Sequence, residues 1–260
     1  MNKRILIIND AGVKGGGAEN RVRSLLKLML KDAFFSKVCL ISSSDCEKDI
    51  VKKIKKLSFY KLCYNFSLPL KIKKIIKQNQ INLIQFHNLN FFQVISLVYP
   101  YFKKIPMVFF LHDFWPLCVY RNFMNPYEDF KMSGSCEKGC IKCVGLKAVI
   151  KQTIVKFIIN RASVGIAPGK NIKNICENKG LLKGKWEIVI PWIKEIKNEC
   201  NEYLMKNKNI FFVGPLLPYK GAWVLAKASK HIKTKDAAFH FIGQNQEESS
   251  VFFSENKTRI

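Results

Sequence analysis

Three places in the chain end an apolar run on residues able to bind an anion or handle a proton. "VFFLHD" carries Val108–Leu111 straight into His112 and Asp113. "LIQFHN" ends in the same way on His87 and Asn88, and "RILIIND" runs into the glycine-rich loop "AGVKGGGAENR". A histidine offers a hydrogen bond or a proton near neutral pH. Glycines ahead of a helix let backbone N–H groups approach a phosphate closely. The spacing here is not Gly-x-Gly-x-x-Gly, so an ordinary dinucleotide fingerprint is not supported. A tight strand-to-helix turn would use the same glycines, and a single histidine at a strand end is more often structural than catalytic. Three such ends together favour a site.

A fourth group is Cys118, Cys136, Cys140 and Cys143, which includes a Cys-x-x-Cys pair. Four thiolates in this pattern suit a tetrahedral structural zinc stapling the stretch 112–146. Reduced thiols in a loop are the alternative. Nine cysteines, an odd number, fit a reducing cytoplasm better than a disulfide framework.

The elements that must position these residues alternate in type. Short apolar runs read as buried parallel strands at 4–8, 37–42, 81–86, 107–111, 163–167 and 186–190. Helical patterns separate them at 18–31, 70–78, 91–102, 146–160 and 170–179. This alternation predicts an α/β fold with a parallel sheet covered on both faces. Ligands of such sheets bind beyond the carboxyl ends of the strands, where His112, His87 and the glycines fall. A polar stretch at 194–208 reads as a linker between an amino-terminal domain, 1–193, and a second pattern over 209–260. That second pattern has two strands and one helix, leaving an open sheet edge. A second domain that is incomplete is therefore expected.

Charge narrows the partners. Lys+Arg 44 against Asp+Glu 19 gives a net charge of +25, and only six of the cations are arginine. Nucleic-acid readers spend arginine on bidentate base contacts, so nucleic acid is not expected. Diffuse lysine suits a phosphorylated ligand or an anionic membrane face, or is simply a solvated surface. "LPLKIKKIIKQ" (68–78) could lie on a membrane as a basic amphipathic helix, or cover the sheet with its lysines in water. No apolar run is long enough for a secretory signal or a membrane span. The expected location is the cytoplasm, with peripheral contact at the inner membrane face.

The stretches "ILIINDAGVKGGGAENRV", "INLIQFHNL", "PMVFFLHDFWPLC", "SVGIAP" and "FFVGPLLPYKG" stand in an order and spacing that resembles the family 4 glycosyltransferases. The resemblance runs from Ile5 to about Gly243. It implies a GT-B architecture of two Rossmann-like domains. It also implies transfer of a sugar, with retention of configuration, from a nucleotide-sugar donor to a glycan or lipid-linked acceptor in surface polysaccharide biosynthesis. No metal is implied for catalysis. By position, His112 matches the histidine that reaches the transferred sugar, and Gly16 and Gly17 match glycines near the donor diphosphate and acceptor. Gly214 of "FVG" and Lys220 of "YKG" fall on the donor side, the lysine neutralising the leaving diphosphate. His87, Asn88 and Asp113 fall on the acceptor side. Two departures stand out. Pro215 replaces an arginine common after the "FVG" glycine, and the chain ends before the Glu-x7-Glu motif of relatives. The expectation is an enzyme truncated in its donor domain. The rival readings are a non-catalytic glycan- or membrane-binding remnant, and a zinc-stapled binding protein.

Overall fold

The computed structural model describes residues 3–9, 17–42, 57–61, 67–89, 91–118, 136–191, 208–216, 220–232 and 237–243. Its contacts divide the chain into two units, residues 1–123 with 133–192, and residues 124–132 with 193–260.

The first unit is built on a seven-stranded, all-parallel sheet. Its strands are β1 (Lys3–Asn9), β2 (Phe35–Ser42), β3 (Leu57–Lys61), β4 (Leu83–Phe86), β5 (Met107–Phe110), β6 (Val164–Ala167) and β7 (Trp186–Ile188). They lie in the order β3-β2-β1-β4-β5-β6-β7, so the winding direction reverses between β1 and β4. Burial on both faces explains the unbroken apolar runs. In β1, Leu6 and Ile8 enter one core while Ile5 and Ile7 enter the other.

The smaller core is closed by helix α1 (Gly17–Lys31), through Val22 and Leu26. The larger takes side chains from α2 (Leu68–Gln78), α3 (Phe91–Ile95), α5 (Cys136–Ile159) and α6 (Lys170–Asn178). A short α4 (Val98–Phe102) packs its Val98 and Tyr99 against it. In α2 the apolar side is spent on the sheet, with Leu68, Ile72, Ile75 and Ile76 buried. The lysine-rich helix of the sequence is thus a sheet-covering helix.

Three details depart from the pattern read in the sequence. The stretch 91–102 is two helices, because Pro100 lacks an N–H and its ring crowds the carbonyl of Ser96, where the break falls. Helix α5 starts at Cys136, ten residues before the predicted start, and kinks at Gly145, whose φ of 75° leaves the helical region. Strand β3 lies inside a lysine-dense stretch where no strand was expected.

In the second unit, β8 (Lys208–Val213) and β9 (Ala237–Ile242) pair in parallel and are linked by α7 (Ala222–Ser229). Leu216, Ala222, Ala226 and Phe241 make its small core.

Candidate functional site

The carboxyl ends of β5, β6 and β7 and the first turns of α1 enclose a cavity of about 470 Å³. Gly17, Asn20, Arg21 and Ser24 line it from the helix, Phe110 and His112 from the end of β5, and Pro168 and Ile190 from the ends of β6 and β7. The helix contributes by direction as well as by side chains. Its first N–H groups have no intrahelical acceptor and its dipole places partial positive charge there.

His112 is held from behind. Its Nε2 lies 2.7 Å from Nδ1 of His87, and Nε2 of His87 lies 2.7 Å from Nε2 of Gln85. Period-two geometry puts Gln85 and His87 on one face of the β4 strand, and the pairing of Phe86 with Phe109 brings β5 alongside. The His87 ring stacks on Phe110 at 4.9 Å and on His112 at 5.1 Å. Gln85 and His87 are buried, and Asn88 is buried beside them.

Burial, then the nearby His112 and Arg21, pushes His87 well below the ordinary histidine range. Burial, reinforced by Arg21, lowers His112 to about 4. Both rings are therefore neutral at pH 7, each with one proton. With the amide nitrogen of Gln85 turned toward His87, as the structure has it, the amide donates to His87 Nε2. His87 must then carry its proton on Nδ1 and donate it to His112 Nε2. That leaves the His112 proton on Nδ1, which meets no protein acceptor among the described residues. The cavity wall thus includes a neutral imidazole of fixed tautomer with an N–H to give.

Beyond His112 the chain makes a tight turn. Asp113 Oδ1 accepts the N–H of Trp115 at 2.8 Å, and the Trp115 carbonyl accepts from Gln152 of α5 at 2.6 Å. Asp113 therefore shapes the turn that presents His112, and it does not line the cavity.

Of the other residues singled out in the sequence, Gly17 is the first residue of α1 and lines the cavity. Gly16 lies outside the described residues. His87 and Asn88 lie behind the wall. Gly214 and Lys220 belong to the second unit. Gly214 closes β8 with a φ of 150° and donates its N–H to the Ile242 carbonyl, while Lys220 is exposed just before α7. Cys118 is buried, and the side chains of Cys136, Cys140 and Cys143 lie outside the described residues. Among the described residues no three His, Cys, Asp or Glu side chains group as they would around a metal ion.

Sequence reasoning missed Arg21 and Gln85. Arg21 stands four residues after Gly17, one turn into α1 on the same face, and burial holds its guanidinium below the usual arginine range. Gln85, a polar residue at spacing two from His87 in an otherwise apolar run, was the available signal for the second.

A family model described as Glycosyltransferase Family 4 matches residues 15–193. No curated protein matches the sequence. Among solved structures, a glycosyltransferase from Rickettsia africae ESF-5 superposes with a TM-score of 0.60 at 14% identity, over 99% of this chain and 66% of that one. S. aureus MnaA, solved with UDP, gives 0.52 at 11% identity, over 99% and 67%. The UDP-GlcNAc 2-epimerase of Methanocaldococcus jannaschii gives 0.51 at 10%, over 98% and 68%. The chain spans about two thirds of the length of these structures. At such identities the likeness is one of fold. The fold is α/β of the GT-B type, with a Rossmann-like parallel sheet in the first unit.

Proposed function

The chain belongs to glycosyltransferase family 4, and on that premise we propose that it serves the transfer of a sugar from a nucleotide-sugar donor to a glycan or lipid-linked acceptor. What carries the reading is the composition of one cavity, where a helix N-terminus, the Arg21 guanidinium and an imidazole N–H from His112 meet. That set suits anionic oxygens and sugar hydroxyls.

In this reading, negative charge grows on the leaving diphosphate as the bond to the anomeric carbon breaks. The α1 N-terminus and Arg21 supply preorganised positive potential, and His112 holds the sugar by donating a hydrogen bond. A pKa near 4 and an occupied Nε2 make His112 a poor general base at neutral pH, so its role is to orient and stabilise. By the family resemblance, Gly16, Gly17, Gly214 and Lys220 are assigned to donor binding, and His87, Asn88 and Asp113 to the acceptor side. Retention of configuration, a place in surface polysaccharide assembly and catalysis without a required metal belong to the same proposal.

A second reading, a glycan- or membrane-binding protein without transferase activity, rests on Pro215, which by the family resemblance stands where many members have an arginine. The deciding experiment offers the full chain a panel of nucleotide sugars with lipid-linked acceptors and measures release of nucleoside diphosphate, beside His112→Ala. Transfer should be seen with one donor, and His112→Ala should lower kcat on the order of a hundredfold or more with Tm unchanged. Binding of nucleotide sugars with no turnover in either protein would favour the second reading.

A further inference from the structure

Helix α5 is apolar on two opposite faces. One face, with Val155, Ile158 and Ile159, is buried in the larger core. At 3.6 residues per turn the other carries Leu146, Ile150, Ile154 and Phe157, which are 61%, 52%, 38% and 59% exposed. The stripe continues onto the end of α4. Arg161 bridges the two helices, its guanidinium 4.7 Å from the ring centre of Phe157 and 5.4 Å from that of Tyr101. Phe102, 74% exposed, lies beside Tyr101 at 5.4 Å. None of these residues lines the cavity. A contiguous run of large apolar side chains is an expensive surface to leave in water, and such patches mark sites of association.

Among the described residues, the exposed charges that α4, α5 and the turn after α5 set beside it are of one sign. Lys103, Lys104, Lys151 and Arg161 are exposed at its edges. No Asp or Glu occurs between Asp49 and Asp113, or between Glu137 and Glu177, and those intervals supply α2, α3, α4 and nearly all of α5. On one side of the sheet α2 touches α3 and α4, and α3 touches α5. An apolar stripe whose flanking charges on α4 and α5 are, among the described residues, cations matches a surface that is apolar within and anionic at its boundary.

We propose that this face is a docking surface for an anionic lipid bilayer. Ile150, Ile154, Phe157 and Phe102 enter the boundary between headgroups and acyl chains, and Lys103, Lys104, Lys151 and Arg161 meet the lipid phosphates. A second copy is the poorer occupant, because it would bring another molecule of net charge +25 against a face whose described charges on α4 and α5 are cationic. Nucleic acid would satisfy the cations and leave the stripe without a partner. Helix α2 is the poorer candidate for such a contact, because its apolar side is already spent on the sheet.

The test is co-sedimentation of the full chain with vesicles of phosphatidylcholine alone, or of phosphatidylcholine mixed with phosphatidylglycerol, at low and high salt. Partition into the mixed vesicles should exceed that into the neutral ones by at least about tenfold and should fall with salt. Neutralising Lys103, Lys104 and Lys151 together to glutamine should weaken it by on the order of a hundredfold. Ile150→Asp with Phe157→Asp should weaken it at least about tenfold with the Tm little changed, since both side chains are exposed. Equal partition into both vesicle types, or indifference to both sets of substitutions, would overturn the proposal. So would a native dimer that Ile150→Asp with Phe157→Asp splits into monomers in light scattering without changing vesicle binding, because that assigns the stripe to a second copy.

Discussion

Replacing Gln85 by leucine should change the protonation pattern of a histidine that Gln85 does not touch. The amide fixes His87, and His87 fixes His112, through two contacts of 2.7 Å each. Leucine has nearly the same bulk, so packing at this buried position is largely kept. What is lost is one hydrogen bond, and the Nε2 of His87 is left buried and unpaired. The cost of orphaning a buried polar atom is about 1–3 kcal/mol, and the apolar side chain recovers part of it. For a chain of this size each kcal/mol lowers Tm by about 2–4 °C. The more telling effect is on His112. A net hydrogen-bond worth of about 1 kcal/mol corresponds to roughly a fivefold bias between tautomers, and without the amide that bias no longer passes along the chain. The assay is nitrogen-resolved NMR of the ring nitrogens in protein labelled at histidine. It is tractable because the chain has only four histidines. In the native protein His87 and His112 should each show a protonated Nδ1 and an unprotonated Nε2 at pH 7. In Gln85→Leu the His112 signals should become those of a mixture. His87→Phe, which keeps the stack on Phe110 but cannot bond to His112, should release His112 in the same way. A single unchanged His112 tautomer in both variants would refute the chain of reasoning.

Acid should destabilise the first unit through the same histidines. Their folded pKa values lie below the ordinary 6.5, so the unfolded chain binds more protons at mildly acidic pH. The stability they confer is present above about 6.5 and is lost as pH falls toward about 4, and His112 alone accounts for about 3 kcal/mol of it. Denaturant titrations across that window should show the fall, and His112→Gln should flatten it. Arg21→Gln should raise the His112 pKa only part of the way to 6.5, because burial is the larger cause, and NMR titration reads this directly. The same variant should weaken binding of a nucleoside diphosphate on the order of tenfold to a hundredfold in calorimetry, and unchanged affinity would remove Arg21 from the anion site. Gly165→Ala should lower Tm by several degrees. Its Cβ would meet the Trp186 ring at 2.6 Å and Leu182 at 2.8 Å, and the indole is pinned by its N–H bond to the Leu181 carbonyl.

Much of the fold was legible because burial on both faces writes itself as continuous apolar runs. Strand β3 escaped for the converse reason. It sits at the edge of the sheet with one neighbour, so its sequence needs fewer apolar residues and the surrounding lysines hid it. The break between α3 and α4 was written in Pro100 and went unread because the apolar pattern continues across it. His112 was visible by its place at a strand end. That Asp113 serves the turn and His87 serves His112 depends on contacts across strands and onto α5, which spacing along one strand does not reveal. Arg21 was hidden by its ordinary setting, one more cation in a chain full of them.

The cavity draws its walls from Gly17 near one end of the first unit and from Pro191 near the other. At about 5–20 residues per second, synthesis takes roughly 10–35 s to travel between them. Throughout that interval α1 can form and settle on β1 and β2, while the strands that complete its partner wall have yet to be made. The sheet must also wait, since β6 cannot take its place against β5 until the whole intervening stretch has emerged. Under the proposed function, nucleotide binding would therefore come late in the life of each molecule, and any nascent chain stalled before β6 and β7 would have the helix and its arginine but nothing to enclose. A ribosome-bound series of increasing length should acquire cavity-dependent nucleotide binding abruptly, only after residue 191 has cleared the exit tunnel.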